Sequence, residues 1–176
     1  LFPYTTLFRS DDHQKIIQAL CRHIGYCNAH ALNAGHPYGA MLDVADLRKN
    51  HLNTYAYFFT KVITKPKNHP YHLKPAGTYA VAYLMGNYYD SKATYEKLFD
   101  WTDEHKFKTG KYSYKEAVID ELATASPSEY LTKISIQVFY PCRFIAFPPH
   151  CLYISHKQIA PLPAHRRAAP HHRYKV

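Results

Sequence analysis

Tyrosine is the residue type whose number and placement most favour chemistry in this sequence, which contains 17 of them in 176 residues. Tyr38 and Tyr57 lie in predicted strands of the first half of the chain, and Tyr79 and Tyr83 share one face of a predicted strand in the second half. An aromatic ring attracts a cation by about 0.5–2 kcal/mol, and tyrosine adds a hydroxyl for hydrogen bonding. Such rings either flank a flat ligand or pack as ordinary sheet residues, and the sequence leaves both interpretations open.

The sequence gives less support for a metal site or a catalytic motif than for an aromatic ligand site. Cys21, His23, Cys27 and His30 recur within one predicted helix. Cys21 and His23 point about 200° apart on a helix, so they cannot share one metal ion without unwinding it. The sequence contains no G-x-S-x-G, P-loop or Rossmann glycine pattern. We therefore predict neither a metal nor a cofactor.

Composition and charge restrict the class of protein. Hydrophobic residues form 47% of the chain and charged residues 20%, which suits one folded domain rather than a disordered chain. The formal net charge is +9, but all 13 acidic residues and 15 of the 22 basic residues lie in 11–138, so this part is nearly neutral. The four cysteines do not make a disulfide framework. No apolar run of 18 residues occurs, so the sequence predicts no membrane span.

Both ends of the chain differ from its middle. Residues 1–10 read LFPYTTLFRS and resemble the in-frame translation of a sequencing-library adapter, so we interpret them as an artefact; a native strand is the alternative. Residues 139–176 hold half of the 12 prolines and no acidic residue, and we predict a disordered basic tail. This tail is either sequence translated past the native stop or an arm that binds nucleic acid, which would make binding strongly salt-dependent.

Hydrophobic periodicity predicts the elements of the first half. A helix is expected from Asp11 to about Ala31, with capping oxygens at its start. Strands are expected over 37–44 and 54–64, where aromatic and β-branched residues are frequent. The expected apolar stripe of the helix consists of Ile16, Ile17, Leu20, Cys21 and Ile24.

The second half repeats this order with one additional strand. Its predicted elements are a strand over 76–86, a helix over 88–106 with Tyr95, Leu98, Phe99 and Thr102 inward, and strands over 113–120 and 129–138. We therefore predict an α+β fold of two strand-helix-strand-strand modules, 11–64 and 72–138, the first lacking its opening strand. The modules are expected to form one antiparallel sheet with the helices on one face.

Four stretches in order resemble one known family. They are LKPAGTYAVAYLMGNYYD, YEKLFDWTDEH, YSYKEAVIDELA and SEYLTKISIQV, and residues 11–63 resemble the first half of the same domain. The family is the effector-binding domains of MerR-type transcription regulators, in the gyrase-inhibitor-like superfamily. The resemblance implies a cytoplasmic bacterial protein that binds amphipathic or cationic drug-like molecules in a cleft between its modules.

The same resemblance implies what surrounds such a domain. In full-length regulators it follows a winged-helix region and a dimerising helix, so DNA binding is expected only through a region absent from this chain. A homodimer is expected only in the full-length protein, and the domain itself is expected to be a sensor rather than an enzyme. The alternative is a small hydrolase of the same superfamily that acts on electrophilic molecules with pocket aromatics and a carboxylate.

The ligand site follows from the resemblance and from residue types together. The expected ligand-binding residues are Tyr38, Tyr57, Tyr79, Tyr83, Trp101 and, as the charge partner of the ligand, Glu116. The acidic residue of the family lies in a Tyr-Glu-x-Tyr pattern, but this chain has Lys115 and Glu116 after Tyr114. Strand alternation places these two on opposite faces, so the sequence leaves open which of them faces the pocket.

Overall fold

The computed structural model describes residues 2–3, 12–32 and 38–140 of the chain. Most of the adapter-like segment and residues 141–176, which form nearly all of the predicted tail, lie outside the described residues. The last described strand runs through Phe139, the first residue of the predicted tail, and the ring of Tyr140 packs 5.1 Å from that of Phe107.

The elements follow one another in the order predicted for the two halves. They are β1 (Phe2–Pro3), α1 (His13–Ala29), β2 (Tyr38–Asp43), α2 (Val44–Leu47), β3 (Tyr55–Thr60), β4 (Tyr71–His72), β5 (Thr78–Met85), α3 (Lys92–Glu104), β6 (Lys108–Ile119), a 3₁₀ turn (Pro127–Glu129) and β7 (Leu131–Phe139). The short helix α2 was not predicted. It forms because the Asp43 carboxylate accepts a hydrogen bond from the amide of Ala45, which caps its start.

Five strands form one antiparallel sheet in the order β3-β2-β6-β7-β5. The first half of the chain supplies β2 and β3, the second half supplies β5, β6 and β7, and the halves join where β2 pairs with β6. The two-residue strands β1 and β4 pair separately. The α+β class and the antiparallel sheet predicted from the sequence are confirmed.

The two faces of the sheet pack differently. On the helix face, α1 and α3 cover a core that includes Ala40, Leu42, Phe58, Ile134 and Ile136. The opposite face, here called the tyrosine face, carries a smaller cluster of Met41, Phe59 and Tyr114, with Tyr57, Tyr79 and Tyr112 packed against it. Since successive strand residues point to opposite faces, β2, β3 and β5 contribute side chains to both clusters.

The buried stripe of α1 differs from the expected one. Its buried residues are Ile16, Ala19, His23 and Cys27. Ile17 is 46% exposed and Cys21 is exposed, so the expectation was wrong at these two positions. The reason is the rotation of α1, which turns Ile17 toward an open cleft instead of the core.

Polar contacts attach this helix to the edge strand β3. His23 Nε2 and Thr60 Oγ1 share a hydrogen bond of 2.9 Å, and Cys27 Sγ donates to the same hydroxyl at 3.5 Å. All three residues are buried, whereas Cys21 is exposed on another side of α1. Burial lowers the pKa of His23 to about 4, an effect that the backbone of Phe59 partly offsets.

Helix α3 packs as the sequence predicts. Its buried residues are Tyr95, Leu98, Phe99 and Thr102. Arg48, at the end of α2, donates to both carboxylate oxygens of Asp103 at 2.8 and 2.9 Å and lies 4.5 Å from the centre of the Phe99 ring. The paired Asp103 therefore links α2 to α3.

We expect opposite stability changes when alanine replaces two of the glycines. A Cβ at Gly39 would lie 2.3 Å from Cζ of the buried Phe59, whereas a Cβ at Gly25, within α1, meets no heavy atom within 4 Å. Gly39→Ala should lower the free energy of unfolding by about 1–3 kcal/mol because Phe59 must move. Gly25→Ala should raise it by up to about 1 kcal/mol. Urea titration measures both, and equal effects would contradict the packing described for the tyrosine face.

We also expect acid to weaken the fold through His23. An unfolded histidine takes up its proton near pH 6.5, but His23 in the folded protein does so only near pH 4. The unfolded state therefore binds more protons as the pH falls, and the free energy of unfolding should drop by on the order of 2 kcal/mol between about pH 6.5 and 5. His23→Gln removes this titration, so its unfolding free energy should fall less over the same range. Parallel pH profiles for the two proteins would refute the assignment.

Candidate functional site

A cleft of about 360 Å³ opens on the helix face of the sheet. Helix α1 forms one side and the segment before α3 forms the other, while β2, β3 and β6 line the remainder. The lining is mainly apolar and includes His13, Ile16, Ile17, Leu20, Tyr38, Tyr55, Phe58, Tyr88, Tyr89, Lys115, Ile119, Asp120 and Glu121. The cleft thus lies between the two halves of the chain.

Tyrosines from both halves stand around this cleft. From the first half, Tyr38 meets the ring of His23 edge-on at 5.9 Å, and Tyr55 stacks on Phe58 at 5.5 Å. From the second half, Tyr88 and Tyr89 lie in contact, with ring centres 4.6 Å apart. These rings provide flat apolar surface together with hydroxyl groups.

Three of the tyrosines in the cleft have raised pKa values. Burial raises the pKa of Tyr88 to about 12, with a smaller effect from neighbouring Tyr89. Burial likewise raises the pKa values of Tyr38 and Tyr55. These three hydroxyls are therefore hydrogen-bonding groups at neutral pH and carry no negative charge.

Exposed apolar side chains occur inside the concave surface. Ile17 and Ile119 both line the cleft and remain more than one third exposed. A single exposed isoleucine is ordinary on a protein surface, but apolar groups gathered in a concave site with a few polar ones are typical of a small-molecule site. The cleft therefore has the surface composition of a binding site.

Among the charged residues that line the cleft, Lys115 is the buried one, with only 5% of its surface exposed. Its Nζ donates to the carbonyl oxygen of Tyr88 at 2.5 Å and to Ser91 Oγ at 3.4 Å. Nζ also lies 5.9 Å from the centre of the Tyr55 ring. Removal from water lowers the pKa of Lys115 to about 8, so the group is mainly cationic at neutral pH.

Glu116 lies on the tyrosine face, so Lys115 is the one of the two that lines the cleft. On that face, Glu116 and Tyr79 lie next to the ammonium group of Lys74, which is part of the protein itself. Nζ of Lys74 lies 3.8 Å from Glu116 Oε1 and 4.9 and 4.6 Å from the ring centres of Tyr79 and Tyr114, and it donates to Ser135 Oγ. The residue types expected to hold a cationic ligand do meet, and an internal lysine occupies the position.

The other expected site residues are dispersed. Tyr57 packs edge-on against Tyr112 on the tyrosine face, and Tyr83 is 46% exposed on the same side as Tyr79. Trp101 stacks on His105 and Phe107 near the end of α3 and does not line the cleft. Of the six expected residues, Tyr38 is the one that lines it.

Sequence reasoning missed several cleft residues. Tyr55 precedes Tyr57 on β3, but a register shift in the pairing of β2 with β3 lies between them and alters the simple alternation. Tyr88 and Tyr89 were assigned to a helix, whereas α3 begins only at Lys92. The alternation of β6 did give a usable signal for Lys115, since it separates that residue from Glu116.

The described part of the chain shows no clustering of three or more His, Cys, Asp or Glu side chains that would hold a metal ion. Across the same residues, none of the helices has the length and apolar character needed to cross a membrane.

Comparison with known proteins identifies relatives of this chain. A curated relative, the multidrug-efflux transporter 2 regulator of Bacillus subtilis (strain 168), is 26% identical over 125 residues, which are 71% of this chain and 45% of that protein. The chain thus spans about half the length of that relative.

Two solved structures have a similar fold. In the cryo-EM structure of an EcmrR–DNA complex, the match has a TM-score of 0.57 at 16% identity and covers 78% of this chain and 53% of that one. The crystal structure of the EcmrR C-terminal domain matches with a TM-score of 0.52 at 12% identity, over 80% of this chain and 90% of that domain.

A family match covers most of the chain. The family described as the GyrI-like small molecule binding domain matches residues 7–138, a range that includes the five-stranded sheet except for Phe139, the last residue of β7, and both walls of the cleft. The relationship inferred from the sequence is thereby confirmed, and this chain belongs to the family of GyrI-like small-molecule-binding domains.

Proposed function

We propose that this domain binds amphipathic organic molecules in the cleft between its halves and acts as the ligand-sensing part of a transcription regulator. The observation that carries the proposal is the cleft itself, a concave, mainly apolar site of about 360 Å³ within a small-molecule-binding domain. Tyrosine rings on both sides can flank a flat molecule, and Ile17 and Ile119 offer apolar contact.

The regulatory part of the proposal is supported by the relatives. The curated relative is named as a regulator of a multidrug-efflux transporter, and one structural match is a protein–DNA complex. The chain covers only 45% of that relative, so the proposal assigns DNA contact to other parts of a longer protein. Within residues 11–138, the proposed partner is a small-molecule effector.

The hydrolase alternative depended on Glu116, which does not line the cleft. It assigned the reaction to pocket aromatics together with the carboxylate of Glu116. That carboxylate lies on the tyrosine face beside Lys74, away from the cleft. We therefore propose binding without turnover, and a panel of activated esters would detect hydrolysis if it occurred.

An uncharged fluorescent probe tests the proposed site. N-phenyl-1-naphthylamine is apolar and aromatic, and we expect it to bind the full chain with micromolar to millimolar affinity. Tyr38→Ala removes one ring of the cleft and should weaken binding by about fivefold, corresponding to ~1 kcal/mol. Fluorescence titration measures the dissociation constant.

Tyr83→Ala is the matched control because it removes the same side chain from the tyrosine face. We expect Tyr83→Ala to bind the probe as tightly as the wild type. If Tyr83→Ala weakens binding and Tyr38→Ala does not, the site lies on the tyrosine face and the proposal is wrong.

A further inference from the structure

We infer that the cleft prefers amphipathic molecules that carry an anionic group, such as a sulfonate or carboxylate, and that Lys115 is the residue that determines this preference. The inference rests on the proposed function, since it names the class of ligand for the same cleft. It differs from the cationic ligand that the sequence resemblance implied, and it depends on how one charged side chain is buried.

The strand pairing of β6 and two hydrogen bonds hold the ammonium group of Lys115 in the wall of the cleft. Its strand, β6, is central in the sheet, and the residue pairs with Ala40 on β2 and with Ile134 on β7. This position fixes its backbone on both sides and directs its side chain to the helix face. Contacts with Tyr88 and Ser91 then hold Nζ next to the segment that forms one wall.

The partners of this ammonium group are all neutral. An ammonium has three N–H donors, and the carbonyl of Tyr88 and the hydroxyl of Ser91 accept two of them. Across the described residues, Lys115 forms no ion pair with a carboxylate. A buried charge without a counter-charge is costly, and an anionic ligand group would supply that charge together with an acceptor for the third donor.

A cationic ligand would be repelled by the charge of Lys115. Its charge would approach an ammonium that is only 5% exposed, where water screens the repulsion poorly. The tyrosine face, by contrast, provides rings and a carboxylate for a cation, but Lys74 occupies that place. The buried ammonium group of Lys115 therefore favours an anionic group beside it in the cleft.

Acidic residues near the cleft suggest how a ligand would be oriented. Asp120 and Glu121 follow the end of β6 and also line the cleft, and Glu121 is exposed to solvent. Neither carboxylate forms an ion pair with Lys115 among the described residues, and each disfavours an anionic group placed next to itself. The anionic group of a bound molecule would then point to Lys115, with its apolar body against Ile17.

Two probes with the same ring skeleton separate charge from shape. 8-Anilinonaphthalene-1-sulfonate is N-phenyl-1-naphthylamine with one added sulfonate, and both fluoresce when bound in apolar surroundings. In the full chain at fixed salt, we expect Lys115→Met to weaken binding of the sulfonate by about tenfold or more, as expected when a charge-assisted hydrogen bond is lost. Binding of the uncharged probe should change little.

Control variants isolate the contribution of Lys115. Lys97→Met removes the same charge from an exposed position on α3 that does not line the cleft, and it should leave both dissociation constants unchanged. Lys115→Arg retains the charge and should retain the preference for the sulfonate. Lys115→Met is expected to fold because replacing a buried charge by an apolar chain of similar length is often tolerated. Circular dichroism verifies this, and Lys115→Gln replaces it if the methionine variant does not fold.

The outcomes separate the inference from the proposed function. If the uncharged probe binds in the cleft but Lys115→Met leaves the ratio of the two dissociation constants unchanged, the charge preference is wrong and the binding site stands. An equal loss of sulfonate binding in Lys97→Met would likewise overturn it, because the effect would then reflect net charge. If neither probe binds the wild type, the proposed function fails and the inference fails with it.

Discussion

The pairing of β6 between β2 and β7 determines which side chains line the cleft. Residues 113–117 of β6 pair with β7 without interruption, and residues 113–116 also pair with β2. The irregular positions in the β6–β7 pairing lie on either side of this stretch. Alternation within it sends Ser113 and Lys115 to the helix face and Tyr114 and Glu116 to the tyrosine face. A shift of one residue would exchange these sets, and with them the sign of the charge in the cleft.

The two faces stabilise a lysine in different ways. On the tyrosine face, Lys74 is partly exposed and has a carboxylate, a hydroxyl and two aromatic rings around its ammonium group. On the helix face, Lys115 is more deeply buried and has only neutral acceptors. The first arrangement compensates its own charge. The second leaves a buried charge without a counter-charge among the described residues, and the proposed ligand preference rests on this difference.

The way α1 is attached leaves room for the cleft. His23 and Cys27 both contact Thr60, so one side of the helix is anchored to the edge strand β3. The adjacent edge of the helix carries Ile17, which lines the cleft. The helix therefore buries Ile16, Ala19, His23 and Cys27 and leaves the apolar side chain of Ile17 exposed in the cleft.

The sequence by itself determined the order of the two long helices and of the five strands of the main sheet, the inner stripe of α3 and the α+β class, because these follow from periodicities within single segments. It also indicated the family, which is confirmed by the family match over residues 7–138. The tertiary structure alone decided which edge of α1 is buried, that Glu116 faces away from the cleft, and that Lys74 lies next to Glu116. Periodicity fixes how neighbouring side chains are oriented relative to each other. It does not fix which face receives the helices, since that depends on strand partners far apart in the chain.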